Sequence, residues 1–329
     1  MAAAPEAMAS GISRPRWHAL EIAFWCAPAL AFFVFQDRRQ LLSQIFIYGL
    51  FALSLDLVLG YAGIVSLGHA AFFGTGAYTA GLLARHGWTE PLSALAIAGV
   101  TAAAFGYLVS ALVVRGSELG RLMVTLGIGL LMSEIANQAS SITGGVDGLS
   151  DMPPLRLLGR FGFGLDGKTG FVYSFVILAL IFVVVRRVVH APFGLSLRGI
   201  RESPRRMPAI GVNVNGRLRA AFALAAGVAG VAGALLAQTT QFVGIDTLGF
   251  QRSAELLIML VFGGVGRLYG ALLGATVFIL AQDALADLSP DYWQFWLGAA
   301  LVALVLMARG GLMGGLERLH RRLQGWHQR

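Results

Sequence analysis

The sequence predicts an all-α polytopic membrane protein of about ten transmembrane helices (roughly 8–10), both ends inside, with one amphipathic helix in a cytoplasmic loop. Three observations carry this. Hydrophobic residues make up 57% of the 329 and charged residues 13%, outside ordinary soluble composition. Apolar runs of spanning length recur along the chain. Basic residues gather in alternate connections between those runs, which sets an orientation. Length alone would suggest two or three soluble domains, but the apolar runs override it.

The first run, Ala19–Phe35, follows Arg14 and Arg16. No small-residue cleavage site follows it and further spans come at once, so it reads as a retained anchor rather than a signal peptide. Further spans are expected at 41–59, 62–84, 92–114, 122–140, 171–189, 218–243, 253–266, 268–286 and 293–308. Two of these stand apart. The run 62–84 is interrupted by Gly63, Gly68, Gly74 and Gly76, and 253–266 is short. Merging a weak pair would give about eight crossings and leave both ends on the same side. The chain thus divides into a cytoplasmic segment 1–18, a transmembrane domain 19–308 with a hydrophilic loop at 190–217, and a basic cytoplasmic tail 309–329.

Charge counting fixes the expected orientation. With the N-terminus inside, the inside segments hold 18 basic and 4 acidic residues, and the outside segments 7 and 8. This is the bias of a chain with both ends in the cytoplasm. The net charge of +8 therefore reads as orientation and contact with anionic membrane lipid, not as a nucleic-acid footprint. One cysteine, Cys26, permits no internal disulfide and leaves the redox compartment unread.

The loop APFGLSLRGIRESPRRMPAIGVNV (191–214) is held inside by Arg198, Arg201, Arg205 and Arg206. Phe193, Leu197 and Ile200 fall at i, i+4, i+7 and form one apolar stripe. Ser203–Pro204 reads as an N-cap with a first-turn proline, and Gly211 as a stop. The element is a handle for a partner or a solvated linker.

Residues 162–169, GFGLDGKT, match a phosphate-binding loop pattern. That pattern needs a buried strand before it and a helix within an α/β domain. Here it lies between two spans, and Lys168 reads as a surface residue. No metal-ligand or nucleophile motif occurs, so no catalytic or metal residue is assigned. Five histidines (His18, His86, His190, His320, His327) lie near span ends or in tails, and His69 alone sits in the glycine-broken run.

Carboxylates inside spans are costly and turn toward protein or water. Asp56, just before the broken run, reads as facing the interior. Glu255 and Asp283 read as interfacial, and Glu134 with Asn137 and Gln138 as a polar path or an interhelical hydrogen-bonding set. The stripes Gly266/Gly270/Gly274 and Gly227/Gly230/Gly233 read as close helix packing. The 60–84 segment differs, because its glycines interrupt a span beside Ser66, His69, Thr75 and Tyr78. A broken span frees backbone groups that can meet a solute. Asp56, Gly63, Ser66, Gly68, His69, Gly74 and Tyr78 are accordingly the expected lining of a translocation route.

Four ordered segments carry a family resemblance: GYAGIVSLGHAAFFGTGAYTAGLL (60–83), TGGVDGLSDMPP (143–154), APFGLSLRGIRES (191–203) and SAELLIMLVFGGVGRLYGALLGA (253–275). Over about residues 40–312 the chain resembles LivM-type permease subunits of branched-chain amino-acid ABC importers. It departs in having Ile64 where relatives often carry Gln, and Arg205–Arg206–Met207 where many have acidic or alanine-rich residues. The resemblance implies a multi-pass protein of the bacterial cytoplasmic (inner) membrane. Its implied partners are a LivH-like permease, two cytoplasmic ATP-binding subunits and a periplasmic solute-binding protein. ATP would be bound by the partners, so the chain itself would hold no cofactor and would be no enzyme. The 191–203 loop would be the coupling helix, with Phe193, Gly194, Leu197, Arg198, Ile200, Arg201 and Glu202 meeting the ATPase. The solute would be a branched-chain or related amino acid; urea or another small solute is the alternative within the family. A secondary transporter also uses broken helices but needs no docking handle. A channel would need a filter element, which the sequence does not display.

Overall fold

The computed structural model describes residues 19–299, apart from 151, 154, 158, 165, 289, 291 and 294, together with 302 and 311. The segment 1–18, most of the 293–308 span and, Gly311 aside, the 309–329 tail lie outside the described residues.

The helices are α1 (Ala19–Val34), α2 (Arg39–Asp56), α3 (Ala70–Arg85), α4 (Pro91–Val113), α5 (Glu118–Gln138), α6 (Ser140–Thr143), α7 (Lys168–His190), α8 (Pro192–Glu202), α9 (Val214–Thr240), α10 (Phe250–Gly263) and α11 (Leu268–Leu288). Among the described residues, 6 helical stretches are long and apolar enough to cross a membrane: Gln36–Tyr61, Pro91–Val113, Glu118–Gln138, Lys168–His190, Val214–Thr240 and Leu268–Leu288. The chain is an all-α, multi-pass membrane protein. The expected spans at 19–35, 62–84 and 253–266 are represented by shorter helices of 16, 16 and 14 residues.

A two-stranded hairpin pairs β1 (Arg156–Leu157) with β2 (Phe161–Gly162) in the 141–170 loop. It has none of the parallel-sheet context a phosphate loop requires. Lys168 is exposed and paired with Asp166 at 3.5 Å.

α2 lies at the centre, with every residue from Ile45 to Asp56 buried. α7, α9, α10 and α11 surround it. On the outside of α7, Val172, Val176, Leu180 and Val184 are exposed at four-residue intervals, a stripe suited to lipid. α4 and α9 approach through small residues. A Cβ on Gly230 would lie 2.9 Å from the Ala98 carbonyl, and one on Gly106 would strike Ala226. The Gly227/Gly230/Gly233 stripe is thus a packing seam. In α11, Gly270 and Gly274 pack on Gly263 of α10, whereas Gly266 belongs to the turn between them, at φ +82°.

Ion pairs fix the ends of the bundle. Glu21 of α1 accepts two hydrogen bonds from Arg186 of α7, at 3.0 and 3.2 Å, and both side chains are largely buried. Removing Arg186 would leave the largely buried Glu21 carboxylate without this partner, at a cost of about 3–5 kcal/mol. Asp283 pairs with Arg38 at 2.6 Å near the surface. The start of α1, the ends of α2 and α7, the helix α8 and the α10–α11 turn come together at one end through Glu21–Arg186, Arg201–Gly60 and Asp56–Gly266 contacts.

Candidate functional site: the broken segment and the amphipathic handle

α2 does not stop at Asp56. It widens into a π-helical turn, Leu57–Tyr61, and the chain then runs without helix from Ala62 until α3 begins at Ala70. The expected 62–84 span is therefore half irregular. Ala62, Ile64, Ser66, Gly68 and His69 are buried, although the backbone has left the helix. Non-helical backbone inside a bundle needs partners from elsewhere. The Leu67 N–H donates to Thr125 Oγ1 of α5 at 3.2 Å, and the Ala70 N–H to Ser253 Oγ of α10 at 3.0 Å. Ser253 thus caps α3 in place of its own N-cap residue, His69, whose side chain makes no capping bond. The Gly60 carbonyl accepts from the Arg201 guanidinium of α8.

The seven expected lining residues divide in this geometry. Ser66, His69 and Tyr78 are buried, and Ser66 Oγ, His69 Nδ1 and Tyr78 Oη have no hydrogen-bond partner among the described residues. His69 Nε2 lies 2.9 Å from Ser54 Oγ, which donates its own proton to the Phe51 carbonyl at 2.6 Å. That assigns the imidazole proton to Nε2 and leaves Nδ1 a bare acceptor. The ring stacks on Phe51, with centroids 5.9 Å apart. Gly63 is accessible at φ +73°, and a Cβ there would lie 2.9 Å from Arg201 Cγ.

Gly68, Gly74 and Asp56 are situated otherwise. A Cβ on Gly68 would strike the Thr125 carbonyl, and one on Gly74 the Leu248 side chain. Both glycines are contact points, so enlarging them disturbs packing before any route. Asp56 is fully buried, and its Oδ1 accepts from the Gly266 N–H at 2.7 Å. Within this chain Asp56 ties the end of α2 to the α10–α11 turn, since a buried carboxylate gains from a backbone donor. Its Oδ2 has no hydrogen-bond partner among the described residues.

A second break was not expected from sequence. Between α9 and α10, residues 241–249 carry a 3-10 turn, Ile245–Leu248, while Val243, Thr247 and Leu248 are buried. Leu149 from the 141–170 loop exchanges backbone hydrogen bonds with Val243 at 2.8 and 3.1 Å. At the start of α10, Arg252 bonds Asp246 at 2.6 Å, Tyr48 Oη at 2.8 Å and Glu255 at 3.1 Å. Glu255 is thus one member of an ion-pair network at the start of α10. Gly244 and Gly249 flank the break, and they are the sequence signal that could have marked it. Glu134 is exposed on α5 and accepts from Gln138 at 2.7 Å, so within this chain it pairs along one helix.

The handle forms, with its boundaries and outward face revised. α8 starts at Pro192, suited to the first turn of a helix, and ends at Ser203. Ser203–Pro204 thus terminates a helix instead of starting one, because proline disfavours helical backbone in the residue before it. Gly211 stops the following 3-10 turn, Met207–Ile210. The stripe of Leu197 and Ile200, each 2% exposed, with half-buried Phe193, packs on this chain's own bundle. Arg217 of α9 covers the Phe193 ring at 5.5 Å. Gly194 is buried where a Cβ would strike the Val189 carbonyl. Within this chain the apolar stripe is thus turned inward. The residues left exposed on α8 are Pro192, Leu195 (49%), Arg198, Arg201 and Glu202. Arg198 also lies over the Tyr61 ring at 5.1 Å.

Comparison with known proteins identifies the family of the chain. A family model described as branched-chain amino acid transport system / permease component matches residues 39–305. The chain is 28% identical over 310 residues to the high-affinity branched-chain amino acid transport system permease protein LivM of Escherichia coli strain K12, spanning 87% of this chain and 72% of that protein. It is 28% identical over 290 residues to the corresponding permease protein BraD of Pseudomonas aeruginosa, spanning 82% and 92%. To LivH of E. coli K12 it is 23% identical over 288 residues, again 82% and 92%. No solved structure matches the chain. It is a membrane-embedded transport subunit and not an enzyme, and it belongs to the family of permease components of branched-chain amino acid transport systems.

Proposed function

We propose that the chain is the LivM-like half of an ATP-driven importer that carries a branched-chain or related amino acid into the cytoplasm. It pairs with a LivH-like permease and with two cytoplasmic ATP-binding subunits, and a periplasmic binding protein delivers the solute. In this reading both chain ends and α8 face the cytoplasm of a bacterial inner membrane, and α1, α3 with 62–69, and α10 with 241–249 complete the crossings. The observation that carries the reading is the buried, non-helical 62–69 segment. Its polar groups Ser66 Oγ and His69 Nδ1 have no partner among the described residues, as expected where irregular backbone borders a route for polar solute. Tyr78 and Gly63 extend that lining, while Asp56, Gly68 and Gly74 hold its walls. Leu195, Arg198 and Glu202 are the side chains offered to an ATPase.

The test is uptake by vesicles containing the assembled complex, with ATP on the α8 side and the binding protein with labelled leucine on the other. Accumulation that requires ATP is expected. Uptake driven by an ion gradient without ATP would replace this reading with a secondary transporter.

A further inference from the structure

Arg201, in the last turn of α8, is exposed as a residue but carries its guanidinium to the end of α2. Its guanidinium donates to the Gly60 carbonyl, in the π-turn that ends α2. Its stem runs beside Gly63, where any Cβ would lie 2.9 Å from Cγ at a backbone angle suited to glycine. Its Nη1 sits 3.3 Å from where a Gly266 Cβ would be. One cation thus touches the end of α2, the start of the break and the α10–α11 turn. The same node holds Asp56, whose Oδ1 is bound to the Gly266 N–H and whose buried Oδ2 has no partner among the described residues.

We propose that Arg201 is the positioning residue that transmits displacement of α8 to the broken segment. It does so by exchanging the Gly60 carbonyl for the free oxygen of Asp56. With Arg201 on Gly60, the π-turn is held to α8 and the break keeps the shape described here. When α8 is displaced, the guanidinium leaves the Gly60 carbonyl for the Asp56 carboxyl oxygen that already lies at the node. Gly60 and Gly63 are then released from α8 while the α10–α11 turn stays attached through Asp56. Two alternative partners for one cation make a two-position element, which is what a conformational signal requires. Lysine would not serve equally, because its compact, strongly hydrated head lacks the planar fork that holds its donors in fixed directions toward each acceptor in turn.

The inference rests on the importer reading, and the experiment separates the two. Solute imported per ATP hydrolysed is measured in proteoliposomes for the wild-type complex, Arg201→Gln and Arg201→Lys. Loss of one hydrogen bond from a charged group should lower import per ATP hydrolysed about tenfold in Arg201→Gln. Arg201→Lys should fall between. A merely structural role would reduce the amount of complex and leave import per ATP unchanged, and that result overturns the proposal. Should Arg201→Gln not assemble, Arg201→Lys decides: a wild-type ratio there overturns it and a lowered ratio upholds it. If the wild-type complex shows no ATP-dependent uptake, the importer reading itself fails. If it does while both variants keep its ratio, only the role of Arg201 fails.

Discussion

The α4–α9 seam and the 57–69 break are both rich in glycine, yet the residue acts in opposite ways in the two. Along the seam, Gly99, Gly106, Gly227 and Gly230 lie within continuous helices among Ala, Val and Leu. Each omits a side chain so that another helix can come close, and each keeps its backbone in its own helix. At the break, Gly60, Gly63 and Gly68 are accompanied by Asp56, Ser66 and His69, and the backbone leaves its helix. Thr125, Ser253 and Arg201, from three other helices, then complete it. In an apolar interior, a small residue flanked by helix formers marks an approach. The same residue flanked by polar groups marks an interruption.

The largest expected effect falls on the seam. Gly230→Val puts branched carbon where a single Cβ already lies 2.9 Å from the Ala98 carbonyl and meets Ala102. Helix backbones cannot yield as side chains do, so about 3 kcal/mol or more of stability should be lost. Little monodisperse protein should survive detergent extraction when followed by fluorescence-detected size exclusion. A Gly230→Val protein of wild-type yield and thermal stability would mean that α4 and α9 are not packed as described.

An intermediate effect belongs to the break. Ser253→Ala removes the acceptor of the buried Ala70 N–H, and an orphaned buried donor costs about 1–3 kcal/mol. The protein should remain extractable with a lowered melting temperature. Serine replaced by threonine should largely restore it. If alanine melts like wild type, the start of α3 finds another partner and Ser253 is no cap.

Much of this contrast was legible in the sequence, and the remainder was hidden for identifiable reasons. The runs at 92–114, 171–189 and 218–243 announce long helices by apolar length alone, and Gly63 and Gly68 beside Ser66 and His69 announce the interruption. The stripe Phe193/Leu197/Ile200 shows which α8 residues share a face. Periodicity does not say what that face meets, and here it meets the chain's own bundle. Asp56 could not be assigned from sequence, because its donor, Gly266, lies far along the chain. The second break at 241–249 reads in sequence as an ordinary connection, marked only by Gly244 and Gly249, and burial of Val243 and Leu248 distinguishes it in the structure. Ten spans were counted from apolar runs, but α3 and α10 are short because irregular backbone occupies part of each run.

The smallest effect on stability should be the most informative about the break. Thr125 Oγ1 accepts from the Leu67 N–H at 3.2 Å while donating to the Arg121 carbonyl of its own helix at 2.9 Å. Thr125→Val keeps the shape, and Gly68 still rests on the unchanged Thr125 carbonyl. Both bonds of Thr125 Oγ1 are lost, but the Arg121 carbonyl keeps its donor within the helix, so only the long, partly buried bond from Leu67 leaves a group without a partner, at about 0.5–1 kcal/mol. If 62–69 were packing alone, like the seam, transport per assembled complex would be unaffected. If the segment borders the solute, freeing the Leu67 N–H changes its shape at the route, so leucine uptake per complex should fall several-fold while melting barely moves. Equal, small changes in both measurements would place the break in the same class as the α4–α9 seam and remove it from the transport mechanism.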